Sequence, residues 1–373
     1  MNPLIKWPGG KSSEINKIER LFPKHKRYIE PFFGGGAVFF HLRPQRAAIN
    51  DISESLMEYY SLLKNQDKQL LDLLLCYSNS FANIISVCER NYDDIFSLYN
   101  DAKKNEITKK ELELILPNMT SNFAKDINYG FTEKLMLSEM DFINHLNKNV
   151  ADKIVRTIKN NEKAPFSEMD LKNNLITGFT SGYYMYFRKV FNDINLKKID
   201  TPSLQYKIAN FYFMREYCYG SMFRYNRQGE FNIPYGGMSY NKKNFMTKIE
   251  NMFNRDVEEV FKNTEIHNSD FADFFKKANL SENDFMFLDP PYDTDFSDYE
   301  GKDFTANDQE RLAHELKNTL ARFMLVIKNT DFIHGLYKDN FNILSFDNQY
   351  TYNVRSRNER NVEHLIITNL PVN

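Results

Sequence analysis

The sequence predicts an α/β protein in which the two ends of the chain build a mostly parallel sheet. Short apolar strands alternate with helices before Lys64 and again from Thr264 onward. Between Lys64 and Lys207 the pattern is mainly helical, with capping residues and mixed charge but no internal repeat. Alternating strands and helices are typical of a parallel sheet covered by helices. A chain of 373 residues is long enough for two packed lobes.

Composition narrows the class of protein further. The net charge of −2 gives no overall attraction to nucleic acid, so any basic binding surface must be local. The three cysteines are scattered, which argues against a disulfide framework. The seven histidines do not approach metal-ligand spacing, and we expect no metal site. No apolar run reaches the ~18 residues of a membrane span, so we expect a soluble, intracellular protein.

The elements follow in order along the chain. "RYIEPFFGGGAVFFHL" begins as a strand, passes through three glycines and continues as a helix. "AAIND" predicts a second strand, after which Ser53 can cap the helix "ESLMEYYSLLK". Further on, Pro117, Pro165 and Pro202 predict joints between helices. "YKIANFYFMREYCYGSMF" predicts a buried helix, and "FRYNRQGEFNIPYGGM", with a central Gly229, predicts a hairpin or an extended loop.

In the last third of the chain, predicted strands again alternate with helices. "TEIHNSDF" and "DFMFLDPPY" predict strands, "TANDQERLAHELKNTL" a capped helix and "RFMLVIKNT" the next strand. Two further extended runs, "FNILSFDNQYTYN" and "VEHLIITN", close the chain. We expect these last two strands to form an antiparallel hairpin at the edge of the parallel sheet.

The glycines after the first strand predict a ligand site. In an open α/β sheet the ligand lies beyond the carboxyl ends of the strands, and Gly34, Gly35 and Gly36 let backbone approach it closely. Asp51 ends the next strand, near the ~20-residue spacing of an acid that accepts from ribose hydroxyls. The dinucleotide pattern G-x-G-x-x-G and a Walker lysine are both missing here. The pattern therefore favours a nucleoside with a small charged tail.

The strand that ends in "DPPY" predicts a holder for the exocyclic amine of a nucleobase. Such an amine is a poor nucleophile because its lone pair is delocalised into the ring. Asp289 and the carbonyl of Pro290 can both accept from the amine, and Tyr292 offers a face on which an extruded base can stack. Pro291 stiffens the loop. An activated methyl donor, S-adenosylmethionine, suits both this chemistry and the predicted adenosine site.

Six motifs together resemble the Dam-type (class alpha) DNA adenine-N6 methyltransferases, in that family's order. They are "KWPGGK" at residues 6–11, "IEPFFGGGAVFF" at 29–40, "NDIS" at 50–53, "FRYNRQGEFNIPYG" at 223–236, "FLDPPY" at 287–292 and "RNERNVEHLIITN" near the end. The resemblance implies a Rossmann-like S-adenosylmethionine-dependent methyltransferase sheet from residues 1–63 and 255–373. Residues 64–254 then form an inserted, mostly helical target-recognition domain with the hairpin. It also implies methylation of the N6 amine of a flipped adenine in double-stranded DNA by a cytoplasmic enzyme of a bacterium or phage.

The resemblance also implies roles for individual residues. Asp289, Pro290 and Tyr292 match the catalytic motif. Arg224, Tyr225, Asn226 and Arg227 fall in the DNA-contacting hairpin. Contacts to the cofactor are implied for Trp7, Lys11, Pro31, Phe32, Gly34, Gly36, Asp51, Asp270 and Asp289.

Several alternatives stay open at this point. A cytosine-N4 DNA methylase shares the chemistry but usually has serine at the position of Asp289, and an RNA base methylase more often has asparagine there. A catalytically silent DNA-binding subunit of a defence complex is a rival of another class, against which intact Trp7, Lys11 and Asp289 argue. The long helical segment prevents transfer of a recognition sequence such as GATC. A cognate restriction endonuclease is a possible partner.

Overall fold

The computed structural model describes residues 1–127, 130–291, 304–349 and 361–371. The chain divides into two compact units, the first formed by Met1–Asn65 with Asn254–Asn373 and the second by Gln66–Phe253. The strands are β1 Arg27–Glu30, β2 Ala47–Asn50, β3 Thr264–His267, β4 Asp284–Leu288, β5 Arg322–Lys328, β6 Asn342–Gln349 and β7 Asn361–Thr368. The helices are α1 Ile15–Ile18, α2 Ala37–Leu42, α3 Glu54–Lys64, α4 Lys68–Arg90, α5 Tyr92–Lys103, α6 Lys109–Asp126, α7 Glu139–Lys163, α8 Glu168–Asn195, α9 Leu204–Tyr217, α10 Phe245–Met252, α11 Arg255–Phe261, α12 Phe271–Ala278, α13 Ala306–Asn318 and α14 Asp331–Tyr337.

The first unit is built on one sheet with the strand order β3-β2-β1-β4-β5-β7-β6. The five strands from β3 to β5 pair in parallel, whereas β7 pairs antiparallel with both β5 and β6. The prediction of a mainly parallel α/β sheet with an antiparallel pair at its edge is confirmed. Because parallel strands place their carboxyl ends at one edge, the loops after β1, β2, β3 and β4 converge there.

Side-chain alternation divides the sheet into two faces. One face carries a core that includes Ile29, Met286, Leu325 and Ile367, packed against the helices α12, α13 and α14. All five residues of β4 are buried, as expected for a central strand covered on both sides. The rings of Phe22 and Phe285 lie 5.3 Å apart, so the N-terminal segment before β1 packs against the opposite face.

The second unit is mainly helical. Two glycines of α8 let it approach α7 closely: a Cβ at Gly182 would lie 2.8 Å from Leu146 Cα, and one at Gly178 would lie 3.1 Å from Val150 Cα. The buried helix predicted before the hairpin is α9, whose residues from Ile208 to Tyr217 are all buried. Aromatic stacking adds to this core.

Two local expectations differ from the structure. Pro117 lies inside α6 and does not form a joint between helices, whereas Pro165 and Pro202 do lie between helices. A proline within a helix removes one backbone hydrogen bond, and α6 tolerates this loss with Leu112 and Leu116 buried on the unit's core. Ser53 is the residue before α3, but its side chain makes no capping hydrogen bond.

Among the described residues one helix, α4, is long and apolar enough by length and composition to cross a membrane, contrary to the expectation from the sequence. Of its most apolar window, 56% is buried inside the protein. Buried residues such as Leu74, Tyr77 and Phe81 place it in the core of the second unit. A core helix passes the same test of length and composition, so this helix gives only weak support for a membrane span.

Candidate active site

A cavity of about 700 Å³ opens in the first unit where the carboxyl ends of β1, β2 and β4 meet. Every residue predicted to contact the cofactor lines it, and so does Pro290. Tyr292, the remaining predicted catalytic residue, lies outside the described residues. The predicted residues that the cavity brings together are Trp7, Lys11, Pro31, Phe32, Gly34, Gly36, Asp51, Asp270, Asp289 and Pro290.

The glycine loop after β1 is shaped by two positions that need glycine. Gly34 and Gly36 have φ angles of 48° and 66°, in the left-handed region. A Cβ at Gly34 would lie 2.8 Å from Trp7 Cδ1, and one at Gly36 would lie 2.5 Å from Phe33 Cζ. The indole of Trp7 therefore lies directly on the loop, and a larger residue at Gly34 would displace it.

Asp51 organises the glycine loop from the end of β2. Its Oδ2 accepts from the backbone N–H of Gly34 at 2.8 Å, and its Oδ1 accepts from that of Ser53 at 3.0 Å. Burial raises the pKa of Asp51, and these backbone donors oppose the rise. Each carboxylate oxygen has a second lone pair, so the group can still accept from a ligand. Asp51 thus has a structural function in addition to any ligand contact.

Asn50 was missed by sequence reasoning although it lies in the quoted motif "NDIS". Its side-chain Nδ2 donates to the carbonyls of Pro31 and Ser269, both at 3.0 Å, and its Oδ1 accepts from the N–H of Ser269. One buried amide therefore joins the loops after β1 and β3. A polar residue at the end of a buried strand was the signal that could have indicated it.

One wall of the cavity is aromatic. The rings of Phe32, Phe271 and Phe304 lie 5.6–5.9 Å from one another between centroids. Beside them, Asp270 caps α12 by accepting from the N–H of Ala272 at 2.9 Å. The same oxygen receives the guanidinium of Arg311 at 2.7 Å. Flat apolar faces beside a fixed carboxylate suit a heteroaromatic ring with polar edges.

Asp289 forms a buried ion pair with Lys11. The two groups lie 2.6 Å apart, with the Lys11 side chain 2% exposed and that of Asp289 17% exposed. Lys11 also donates to the carbonyl of Gly9 at 3.1 Å. Burial raises the pKa of Asp289, whereas the Lys11 ammonium opposes that rise. Lys11 was predicted to contact the cofactor, and in the structure its charge lies on the predicted catalytic acid.

The loop after Asp289 is fixed by a hydrogen bond from α13. The amide Nε2 of Gln309, a fully buried residue, donates to the carbonyl of Pro291 at 3.3 Å. Pro290 is buried and lines the cavity. The contact to Gln309 fixes the loop just after the acid, as a site with preorganised acceptors requires.

Glu30 is a further acid of the cavity that sequence reasoning did not select. It ends β1, is 3% exposed and accepts from the hydroxyl of Tyr28 at 2.9 Å. Burial raises its pKa well above the ordinary range, and the neighbouring carboxyls of Asp289 and Asp51 add to the rise. The acid that precedes "PFFGGG" at the end of a strand was the available signal.

The predicted DNA-contacting residues lie in the second unit, on a short hairpin bridged between Tyr225 and Phe231. Arg224 and Arg227 are exposed. The amide of Asn226 forms the turn: its Oδ1 accepts from the N–H groups of Gln228 and Glu230 at 3.0 and 2.9 Å. Its Nδ2 donates to the Glu230 carboxylate at 3.1 Å. The group predicted to read a base is therefore engaged within the hairpin in this structure.

Comparison with known proteins gives one family. The family of D12 class N6 adenine-specific DNA methyltransferases matches residues 7–124 and 138–352. These ranges include all predicted site residues in both units.

Individual relatives extend over nearly the whole chain. The type II methyltransferase M.CviBI of Paramecium bursaria Chlorella virus NC1A is 26% identical over 99% of this chain and 100% of its own length. The type II methyltransferase M.MjaIII of Methanocaldococcus jannaschii is 26% identical over 92% of this chain and 90% of its own. A DNA adenine methylase of Vibrio cholerae is 22% identical over 95% of this chain and 92% of its own.

Proposed function

The chain belongs to the D12 class of N6 adenine-specific DNA methyltransferases, and from this premise we propose how its residues serve that reaction. The first unit holds S-adenosylmethionine in the cavity and presents Asp289 to the N6 amine of an adenine flipped out of double-stranded DNA. The second unit is the inserted target-recognition domain. The observation that carries this proposal is the position of Asp289, paired with Lys11, in the same cavity as the glycine loop and Asp51.

The residues of the cavity fit S-adenosylmethionine. The aromatic wall of Phe32, Phe271 and Phe304 suits its adenine, and Asp51 retains acceptor capacity for ribose hydroxyls. Besides the buried Glu30, five acids line the cavity together with two lysines, Lys11 and Lys328; the acids are Asp51, Glu54, Asp270, Asp289 and Asp308. An excess of acidic groups favours a ligand of net positive charge, such as one whose sulfonium and ammonium outweigh its single carboxylate.

When bound, the cofactor supplies a methyl group activated by its sulfonium. The protein's own contribution is to hold the amine and to exclude water. Asp289 and the carbonyl of Pro290 accept hydrogen bonds from N6, which localises the nitrogen lone pair. As positive charge develops on N6, the Asp289 carboxylate stabilises it within a preorganised, buried site. Lys11 fixes the carboxylate, and Gln309 fixes the loop after it.

Recognition of DNA is assigned to the hairpin of the second unit. The exposed Arg224 and Arg227 suit phosphate or guanine contacts, and Tyr225 can fill the space left by a flipped base. Asn226 gives the hairpin its shape. Relatives named type II methyltransferases support modification of a defined site and a restriction endonuclease that shares it.

The proposal is tested with the wild-type protein, Asp289→Ala and a surface control, Asp273→Ala, whose carboxylate is exposed on α12. We measure calorimetric binding of S-adenosylmethionine and map N6-methyladenine after expression in a host without DNA methylation. We expect Asp289→Ala to fold but to leave the genome unmethylated, with Asp273→Ala matching wild type. Near-normal methylation by Asp289→Ala would refute the assigned chemistry. Undetectable cofactor binding by the methylating wild type would refute the cofactor site.

A further inference from the structure

A second buried pair of ionisable side chains lies beside the proposed catalytic acid. His364 Nδ1 is 3.4 Å from Glu14 Oε2, and the two side chains are 0% and 5% exposed. His364 lies in β7, opposite Lys328 of β5. The mechanism assigns no part to either residue, yet removing two ionisable side chains from water costs free energy.

The two pairs lie on the same face of the sheet. Leu365 belongs to the core packed against the helices, so His364 projects from the opposite face of β7. In β1, Ile29 belongs to the same core, so Glu30 also projects from the opposite face of the sheet. The N-terminal segment packs on this opposite face, where Phe22 also contacts Phe285. Glu14 and Lys11 belong to that segment.

The two pairs are also joined through one backbone turn. The N–H groups of Glu14 and Ile15 donate to the carbonyl of Lys11 at 2.8 and 3.1 Å. The turn therefore joins the backbones of Lys11 and Glu14. The Lys11 side chain at one end of the turn pairs with Asp289 after β4, and the Glu14 side chain at the other end lies 3.4 Å from His364 in β7.

We propose that His364 is a positioning residue that holds the Glu14 carboxylate away from Lys11, so that the Lys11 ammonium stays on Asp289. The inference rests on the proposed role of Asp289 as the acceptor of the amine. When protonated, His364 supplies Glu14 with a cation. Without it, the Glu14 carboxylate competes with Asp289 for Lys11. A merely structural pair would stabilise the fold without altering the acid.

The effect of Glu14 and His364 on the pKa of Asp289 can be measured separately from their effect on stability. The Glu14 carboxylate raises the pKa of Asp289, and His364 lowers it. The other ionisable groups that line the same cavity are Lys11 from the N-terminal turn, Glu30 from β1, Asp51 after β2, Glu54 of α3, Asp270 after β3, Asp308 of α13 and Lys328 of β5. Because turnover needs ionised Asp289, the rate of methyl transfer falls as the pH drops through the pKa of that group. This fall is the acid limb of the pH profile. Removal of His364 should therefore move this acid limb to higher pH, and removal of Glu14 should move it to lower pH.

The test compares the full-length variants His364→Gln, Glu14→Gln and the double variant with wild type. The measurements are kcat and KM for DNA methylation across pH, the Kd of S-adenosylmethionine and the melting temperature. We expect His364→Gln to lower kcat on the order of 10-fold at neutral pH, since small displacements of catalytic groups have such effects. Its cofactor Kd should stay within about threefold of wild type, because the cavity walls are intact. The double variant should regain part of kcat, because the competing carboxylate is gone.

The matched control is Asp284→Asn, which breaks the pair between Arg27 and Asp284 at 2.8 Å. This pair is in the same unit but at the amino ends of β1 and β4, away from the cavity. The control should lower the melting temperature without moving the acid limb. The inference is overturned if neither single variant moves the limb, or if both move it in the same direction. If His364→Gln does not fold, Glu14→Gln alone decides by the direction of its shift. Active Asp289→Ala would instead refute the proposed function itself.

Discussion

The ammonium of Lys11 lies 2.6 Å from Asp289 Oδ1, in a cavity that the two residues line together. The contact joins the motif at the start of the chain to the motif at the end of β4. A buried carboxylate is costly unless a partner compensates its charge. Lys11 supplies this compensation and thereby keeps Asp289 available as an ionised acceptor.

The first prediction concerns the loss of Lys11. Lys11 lowers the pKa of Asp289 against the effect of burial, so Lys11→Met should raise that pKa. The ionised acid then requires a higher pH, and the acid limb of kcat should move upward. The measurement is a pH profile of methyl transfer with saturating cofactor. Lys17→Met, at an exposed position of α1, is the control and should match wild type. An unmoved limb in Lys11→Met would contradict the assigned ion pair.

The second prediction concerns the glycine loop. At Gly36 a Cβ would meet Phe33 Cζ at 2.5 Å and the φ angle is 66°. Gly36→Ala should therefore lower the free energy of unfolding by more than the about 1–2 kcal/mol of a left-handed residue. Gly335→Ala in α14 is the control, because no described atom lies within 4 Å of its added Cβ. That change should be neutral or stabilise by up to about 1 kcal/mol. Chemical denaturation measures both, and equal effects would contradict the steric argument.

The parallel strands, the antiparallel pair at the edge of the sheet and the glycine loop of the cavity could be predicted because each depends on local pattern. A buried strand followed by glycines or by "DPPY" indicates the carboxyl edge of a sheet wherever it occurs. The position of Pro117 inside α6 was predicted wrongly, because proline disfavours helix locally while packing of the whole helix decides the outcome.

Partners distant in sequence could not be predicted. The pairing of Lys11 with Asp289, the joining of two loops by Asn50 and the approach of His364 to Glu14 all depend on strand order. Strand order brings residues together irrespective of their separation along the chain. Glu30 was missed for a related reason: its burial depends on what covers β1.

The third prediction separates two functions of Asp51. Both of its oxygens accept from backbone N–H groups of the loop and of Ser53. Asp51→Ala should therefore weaken cofactor binding and also lower the free energy of unfolding by about 1.5–3 kcal/mol, since hydrogen bonds to a charged group are lost. Trp7→Ala, which removes a cavity wall, should affect cofactor binding more than stability. Calorimetric titration and thermal unfolding measure the two quantities. If the Asp51→Ala protein keeps wild-type stability, Asp51 has no structural function and serves only to bind the ligand.

The fourth prediction concerns the buried acid Glu30. Its pKa lies well above the ordinary value of 4.5, so the folded state binds a proton that the unfolded state releases. The contribution of this group to stability is present below pH 4.5 and is lost as the pH rises through the raised pKa. Glu30→Gln removes the titration and should be more stable than wild type at high pH, with the difference shrinking in acid. Cofactor affinity should fall, because a carboxyl is lost. A difference in stability that grows toward acid would contradict the sign.

The last prediction concerns the hairpin. Arg224 and Arg227 are exposed, while the amide of Asn226 holds the turn through Gln228 and Glu230. We expect Arg224→Ala and Arg227→Ala each to weaken DNA binding and to reduce its salt slope by about 1, without changing cofactor affinity. Asn226→Ala should weaken binding to all sequences alike, because it deforms the turn that carries both arginines.

The measurement is binding and methylation of the cognate site and of single-base variants at several salt concentrations. Lys104→Ala, a charge change at an exposed residue of the same unit, is the control. If Asn226 instead reads a base edge in the complex, its loss should relax discrimination at one position by about 1–3 kcal/mol while affinity for other sequences persists. If both arginine variants keep wild-type affinity and salt dependence, the hairpin does not bind DNA, and recognition is to be sought on the helices of the second unit.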